Sequence, residues 1–325
     1  NVGPTPNKNF VPTTGAYTPA SGALELTIGS HSLPAPTTHT VTGAAYVPST
    51  GVMTLTLAGH GFSNGEQVKF AQDALTFTCT HGAGNHTYPR ATDPMHNKWM
   101  PISNVTTNTF DVQVLDVIPS SNITVHTFVS ATTNGMSKAN STIRLASDSL
   151  QMSCTFGGGG AVTKTYPRHQ AATHTAAAGT TYNPNTGILS ITTSSAHGMV
   201  PGTPIQLLDD SLTFSCGFGG GGQVNKTYPR STDPVSNRWL FIQNVTATTF
   251  DVKVLDSIPS TNVDAHTFVS ATSAGIIEGD PMMGRAIPIE AVTGTTITVN
   301  ALNGKDVTNT DAHTWVGLST YQHQP

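Results

Sequence analysis

The stretch LTFTCTHGAGNHTYPR, residues 75–90, places Cys79 seven residues before His86 and ends in Tyr-Pro-Arg. Thiolate and imidazole together are common zinc ligands, and a histidine beside a thiol or hydroxyl can activate a nucleophile. Either chemistry needs the same side chains at the same spacing. The chain itself supplies the comparison. The stretch returns as DSLQMSCTFGGGGAVTKTYPR, ending at Arg168, and as DSLTFSCGFGGGGQVNKTYPR, ending at Arg230. Lys164 and Lys226 stand where the first copy has His86, so the ligand set is not kept. Tyr88 lies nine positions after Cys79, whereas Tyr166 and Tyr228 lie twelve after Cys154 and Cys216. A glycine-rich segment of variable length between fixed flanks is what a surface hairpin tip tolerates. It is not a phosphate loop, because no Gly-Lys-Ser/Thr follows. The chain has no CxxC, HxH, HExxH or carboxylate dyad.

What the copies keep is Cys79, Cys154 and Cys216; Tyr88, Tyr166 and Tyr228; Arg90, Arg168 and Arg230. In LTFTC, alternation puts Leu75, Phe77 and Cys79 on one face, so the cysteine is expected to be a small core residue with a free thiol. The proline ends the ladder, the tyrosine packs at the rim, and the arginine pairs with a carboxylate or caps carbonyls. Asp93 and Asp233 follow closely in two copies, but His169-Gln170 follows in the third, which makes that ion pair look optional. His-Thr pairs recur at His39, His126, His174, His266 and His313. A single histidine per module is expected to hydrogen-bond backbone at a strand end; only modules stacked or trimerised about an axis would bring several together on a metal. No catalytic, cofactor-binding or metal residue is assigned, and no enzymatic activity is expected.

These elements belong to a repeat, which has to be sought before any fold is assigned. Residues 87–135 align with 227–275 without a gap, and 32 of 49 positions are identical. A first block, Tyr-x-Pro-x-x-Gly plus a strand and then a histidine, begins at Tyr17, Tyr46 and Tyr182 and reaches His31, His60 and His197. The cysteine hairpin is the second block. The third runs from Asp-Pro to HTFVSA and returns at the C-terminus, where Asp280 matches Asp93, Ile289 matches Ile102 and His313 matches His126. Segments 41–136 and 179–276 carry all three blocks. Segments 1–40, 137–178 and 277–325 carry one each, and read as a partial N-terminal unit, a short cysteine-hairpin unit and a partial C-terminal unit.

Short alternating runs such as VMTLTLA, LTFTC, FDVQVL and TITVN, punctuated by STG, NTG, HG and DP, predict strands and tight turns throughout. Charged residues make up 10% of the chain, apolar residues 37%, and the net charge is -4. That balance supports small packed cores and lacks the basic clusters that nucleic acid or anionic membranes require. No apolar run approaches the roughly 18 residues of a membrane span. The fold expected is all-β: tandem small β-sandwich, Ig-like modules, some partial, in an extended array.

The set LTFSC, glycine-rich tip, KTYPR-x-TDP and HTFVSA resembles repeats in virion structural proteins of tailed phages of aquatic bacteria, cyanophages especially. The resemblance covers about residues 41–320. It implies a non-catalytic, tail-associated, fibre or decorating protein, located on the extracellular particle after assembly in the host cytoplasm. It implies partnership with its own copies and with other virion proteins, admits a host-surface receptor, and carries over no catalytic residue. Stacked modules would give interfaces above the ~1,600 Å² of a standard reversible complex. The competing expectation is a cell-surface adhesin or carbohydrate-binding protein, which would show Trp99 and Trp239 exposed on one face.

Overall fold

The computed structural model describes residues 8–79, 84–115, 124–155, 159–217, 222–255, 264–302 and 310–319. The expectation of strands and turns holds: the described residues contain strands and no helix, and every strand pair is antiparallel. Most of the Gly-rich hairpin tips lie outside the described residues; Gly84 is described, with φ +115°.

Each repeat block has a local reason for its shape. In Tyr-x-Pro-x-x-Gly, the glycine turns the chain back as a hairpin. Gly22, Gly51 and Gly187 sit at φ +70°, +67° and +66°, and each donates its N–H at 2.9 Å to the carbonyl of the residue after the tyrosine. The left-handed region favours glycine at this position. In the third block, Thr106, Thr246 and Thr293 each hydrogen-bond a threonine three residues on, closing the turn before the next strand. The final strand of that block bulges at Val129, Val269 and Val316, and all three valines point to solvent.

In the segment 37–138, ten strands form one sheet. Its order is Thr37–His39, Met136–Lys138, Gln67–Phe70, Met100–Ser103, Thr109–Gln113, Val52–Thr56, Gly43–Val47, His126–Ala131, Leu75–Cys79 and Asn85–Tyr88. Apolar residues from strands far apart in that order, such as Val68, Ile102, Phe110, Leu55 and Phe77, share one core, so the sheet curls over itself. The segment 172–278 builds an equivalent core around Ile205, Ile242, Phe250, Ile191 and Phe214, with its strands divided between a four-stranded and a six-stranded sheet.

The three short segments do not form separate partial units. They build one further module. Ala23–Thr27 pairs along its whole length with Thr296–Asn300, Leu24 opposite Val299 and Leu26 opposite Ile297. Thr142–Ile143 pairs with Ile287–Val292, and Leu150–Cys154 pairs with Thr314–Leu318. An isolated bridge joins Tyr17 to His313, as Tyr46 joins His126 and Tyr182 joins His266 in the other modules. Leu24, Leu26, Leu150, Met152, Ile289, Ile297 and Val299 form its core. The reason is burial: a lone hairpin or a single amphipathic strand cannot cover its apolar face and is marginal in water. The first segment brings the first block, the second the second, and the third the third, so together they complete one module.

The architecture is therefore nested rather than strung in tandem. One complete module is inserted between the first and second blocks of the composite module, and another between its second and third. Each insert begins and ends side by side. Thr37–His39 pairs with Met136–Lys138, and Ala172–His174 with Ile276–Glu278. Asn140 donates to the Ala35 carbonyl at 2.8 Å across the first junction, and the Ala274 N–H donates to Thr175 at 2.9 Å across the second.

Tryptophans fasten the inserts to the composite module. Trp99 is 2% exposed, and its indole N–H donates to Glu290 Oε1 at 3.1 Å. Lys69 pairs with the same carboxylate and sits 5.3 Å from the Trp99 ring centre. Trp239 packs against His169, with centroids 5.3 Å apart, and over Gly279 and Gly284. A Cβ on Gly284 would stand 2.7 Å from Trp239, and its φ is +66°. Gly284→Ala is thus expected to lower the unfolding free energy by about 2 kcal/mol, through backbone strain and overpacking together; urea unfolding followed by tryptophan fluorescence measures it.

Candidate functional site

The recurring polar residues converge at one place in each module. His126 is the cross-strand partner of Cys79 and of Tyr46, and His266 that of Cys216 and Tyr182. Leu75 and Leu212 pair with Tyr88 and Tyr228. A histidine thus stands between two tyrosines. Its ring meets Tyr46 at 5.2 Å and Tyr88 at 6.0 Å in the first insert, and Tyr182 at 5.1 Å and Tyr228 at 6.1 Å in the second, all edge-on. In the composite module His313 meets Tyr17 at 5.0 Å and Tyr166 at 6.3 Å. Such edge-to-face contacts exploit the ring quadrupole.

The histidine tautomer follows from its partner. His126 Nδ1 lies 2.8 Å from the Thr124 carbonyl, His266 Nδ1 2.8 Å from that of Asp264, and His313 Nδ1 2.9 Å from that of Asp311. A carbonyl only accepts, so Nδ1 carries the proton and Nε2 the lone pair. The expected backbone bond at the strand end is present for these three. His39 and His174 belong elsewhere: they lie on the strands that open the two inserts.

Each Tyr-Pro bond is cis. The arginine that follows folds back over its tyrosine, with guanidinium carbons 4.9, 5.7 and 4.7 Å from the rings of Tyr88, Tyr166 and Tyr228. Its backbone N–H donates to an aspartate: Arg90 to Asp93 at 2.7 Å, Arg230 to Asp233 at 2.9 Å, and Arg168 to Asp280. The Arg90 and Arg168 guanidiniums also pair with their aspartates, at 3.2 and 3.3 Å. The aspartate is therefore not optional. In the composite module it comes from the third segment, far along the chain, and the match of Asp280 to Asp93 in the repeat was the signal for it.

None of the three cysteines is in a disulfide; Cys154 and Cys216 are buried and Cys79 is half-buried. Burial raises the pKa of all six tyrosines, most at Tyr166, which is pushed up to about 12. None is a phenolate near neutral pH. Among the described residues, no three His, Cys, Asp or Glu side chains group as metal ligands do. Sequence reasoning missed the first-block tyrosines, Tyr17, Tyr46 and Tyr182, as members of this site. Their recurrence was visible, but only strand pairing shows which histidine each one meets.

A second histidine set serves the turns. His60 and His197 accept the N–H of Phe62 and Met199 on Nδ1, each at 3.0 Å, so Nε2 carries the proton. Those Nε2 atoms are buried without a hydrogen-bond partner. His31 accepts from Leu33 in the same way, and its Nε2–H reaches the Thr296 carbonyl at 3.2 Å.

No family model, curated protein or solved structure matches the chain.

Burial lowers the His197 pKa below the ordinary imidazole value, with His174 adding to the effect and Glu278 opposing it. The unfolded imidazole, titrating near ~6.5, then holds more protons than the folded one in the window below that value. The stability this group contributes is full above about pH 6.5 and is lost as the pH falls toward the folded pKa. Urea midpoints are expected to drop between about pH 7.5 and pH 5.5, and to drop less in His197→Gln.

Proposed function

We propose that this chain is a non-catalytic structural protein of a phage particle, tail-associated, fibre or decorating, that acts by assembling with its own copies and with other virion proteins. The observation that carries the non-catalytic part is the threefold recurrence of one polar cluster. Catalysis asks for a single unusual site that breaks local rules. Here the same tyrosine, histidine, arginine and aspartate are built three times, once from segments far apart in the chain, and each has a folding role. The assignment to a virion rests on the resemblance of LTFSC, KTYPR-x-TDP and HTFVSA to phage structural repeats. The finer expectation of sandwich-like modules belongs to this reading as well.

The surface suits controlled assembly. The outer hairpin strands Val162–Tyr166 and Val224–Tyr228 carry Lys164 and Lys226 mid-strand, and a lysine on an edge discourages unregulated strand addition. Contacts between subunits are then made by side-chain faces rather than by open ladders. The adhesin alternative required Trp99 and Trp239 on one exposed face. Trp99 is buried and Trp239 packs between modules, so the tryptophans offer no sugar platform. Mass spectrometry of purified virions, with antibody localisation in negative stain, is expected to find the chain as a stoichiometric particle component. Its absence from particles, with the protein found instead on cell envelopes, would move the assignment to the adhesin class.

A further inference from the structure

The clusters in the two inserted modules are not filled to the surface. Beside Tyr46, Tyr88 and His126 lies a cleft of about 180 Å³, and beside Tyr182, Tyr228 and His266 one of about 240 Å³. Corresponding residues of the repeat line both. Leu75 and Phe77 form the floor of the first, and Leu212 and Phe214 that of the second. Asp93 and Asp233 stand in the walls, and Arg90 and Arg230 at the rim.

We propose that each of these two clefts binds one uncharged pyranose ring, which gives a structural chain two equivalent carbohydrate-recognition sites.

The chemistry of the lining selects that ligand. Two tyrosine rings over a leucine and a phenylalanine offer apolar surface to the C–H face of a ring. The tyrosine hydroxyls both donate and accept, and the imidazole adds a fixed acceptor, because its Nδ1–H is committed to backbone carbonyl at 2.8 Å in both modules. A ligand with one apolar face and a belt of hydroxyls meets all of these at once. Net charge on the ligand is not favoured, since Arg90 is offset by Asp93 at 3.2 Å. Drug-sized sites run to roughly 300–1,000 Å³, so a smaller cleft takes a single ring, with any further sugars outside it. Weak single sites gain strength from being paired on one chain when the target surface carries many copies of the sugar. The proposal goes beyond the assembly role and does not depend on where the protein sits. It also differs from a tryptophan platform, because the aromatic faces come from tyrosine.

Saturation-transfer difference NMR on the full chain tests it, with the methyl pyranosides of glucose, galactose, mannose and N-acetylglucosamine as probes and cyclohexanol as the apolar control. Transfer to the ring C–H protons of at least one glycoside is expected, with little to cyclohexanol. The double variant Tyr88→Ala/Tyr228→Ala should abolish it. Because that pair of changes can also unsettle the fold, Arg90→Ala/Arg230→Ala serves as the second variant. Arg90 is 57% exposed, and its bond to Asp93 through the backbone N–H is kept by alanine, so the rim change should leave the melting temperature near wild type while weakening transfer at least severalfold. No transfer from any of the four glycosides would overturn the proposal. So would equal transfer to cyclohexanol, or transfer unchanged in the rim variant.

Discussion

The structure depends on one pairing across nearly the whole chain. Leu24 and Leu26 are almost fully buried, and the residues opposite them are Val299 and Ile297. An amphipathic strand near the start of the chain has no partner nearby that is free to cover it. Its own hairpin mate, Thr14–Thr18, flanks one side only. The other side is completed by a strand that lies beyond two entire inserted modules. Burial of apolar surface is strong enough to hold this arrangement, at roughly 25 cal/mol per Å² removed from water. The Tyr17–His313 and Arg168–Asp280 contacts then repeat, across the same gap, what the inserts make locally.

Insertion is permitted by where each insert starts and finishes. An added domain leaves its recipient undisturbed when its two ends emerge together. Both inserts meet this condition through a short antiparallel pair, His39 opposite Met136 and His174 opposite Ile276. The tryptophans then restrict how each insert sits. Trp99 reaches Glu290 and Trp239 covers two glycines of the composite module, so the inserts are fastened at points beyond their junctions. Close approach explains glycine at both places: a Cβ at Gly279 would meet Trp239 at 2.8 Å.

Much of the local structure was legible in the residues. Alternation in VMTLT and LTFTC predicts the buried faces observed, with Met53, Leu55, Leu75 and Phe77 inside. The gapless match of 87–135 to 227–275 reappears as two cores with equivalent residues, Phe110 and Phe250 both fully buried. Pairing between segments was not legible, because alternation says which face is apolar and not what covers it. The three partial segments supply one block each, in order, and that arithmetic pointed to a single module. Reading them as separate units failed on burial, since none has enough apolar surface to close alone. The aspartate partner of Arg168 is adjacent in space and remote in sequence, and only the match of Asp280 to Asp93 in the repeat pointed to it. Cys154 and Cys216 are buried as the period-two pattern requires, whereas Cys79 is half-buried.

The central claim is that residues from three separated segments form one cooperative unit. Native-state hydrogen exchange tests it directly, because amides in one unit open together and share a free energy and a denaturant slope. The account predicts a single opening for Leu24 and Leu26 from the first segment, Met152 from the second, and Ile297 and Val299 from the third. Exchange of Leu24 and Leu26 at low cost, as in a frayed terminus, while Ile297 and Val299 stay protected, would contradict it.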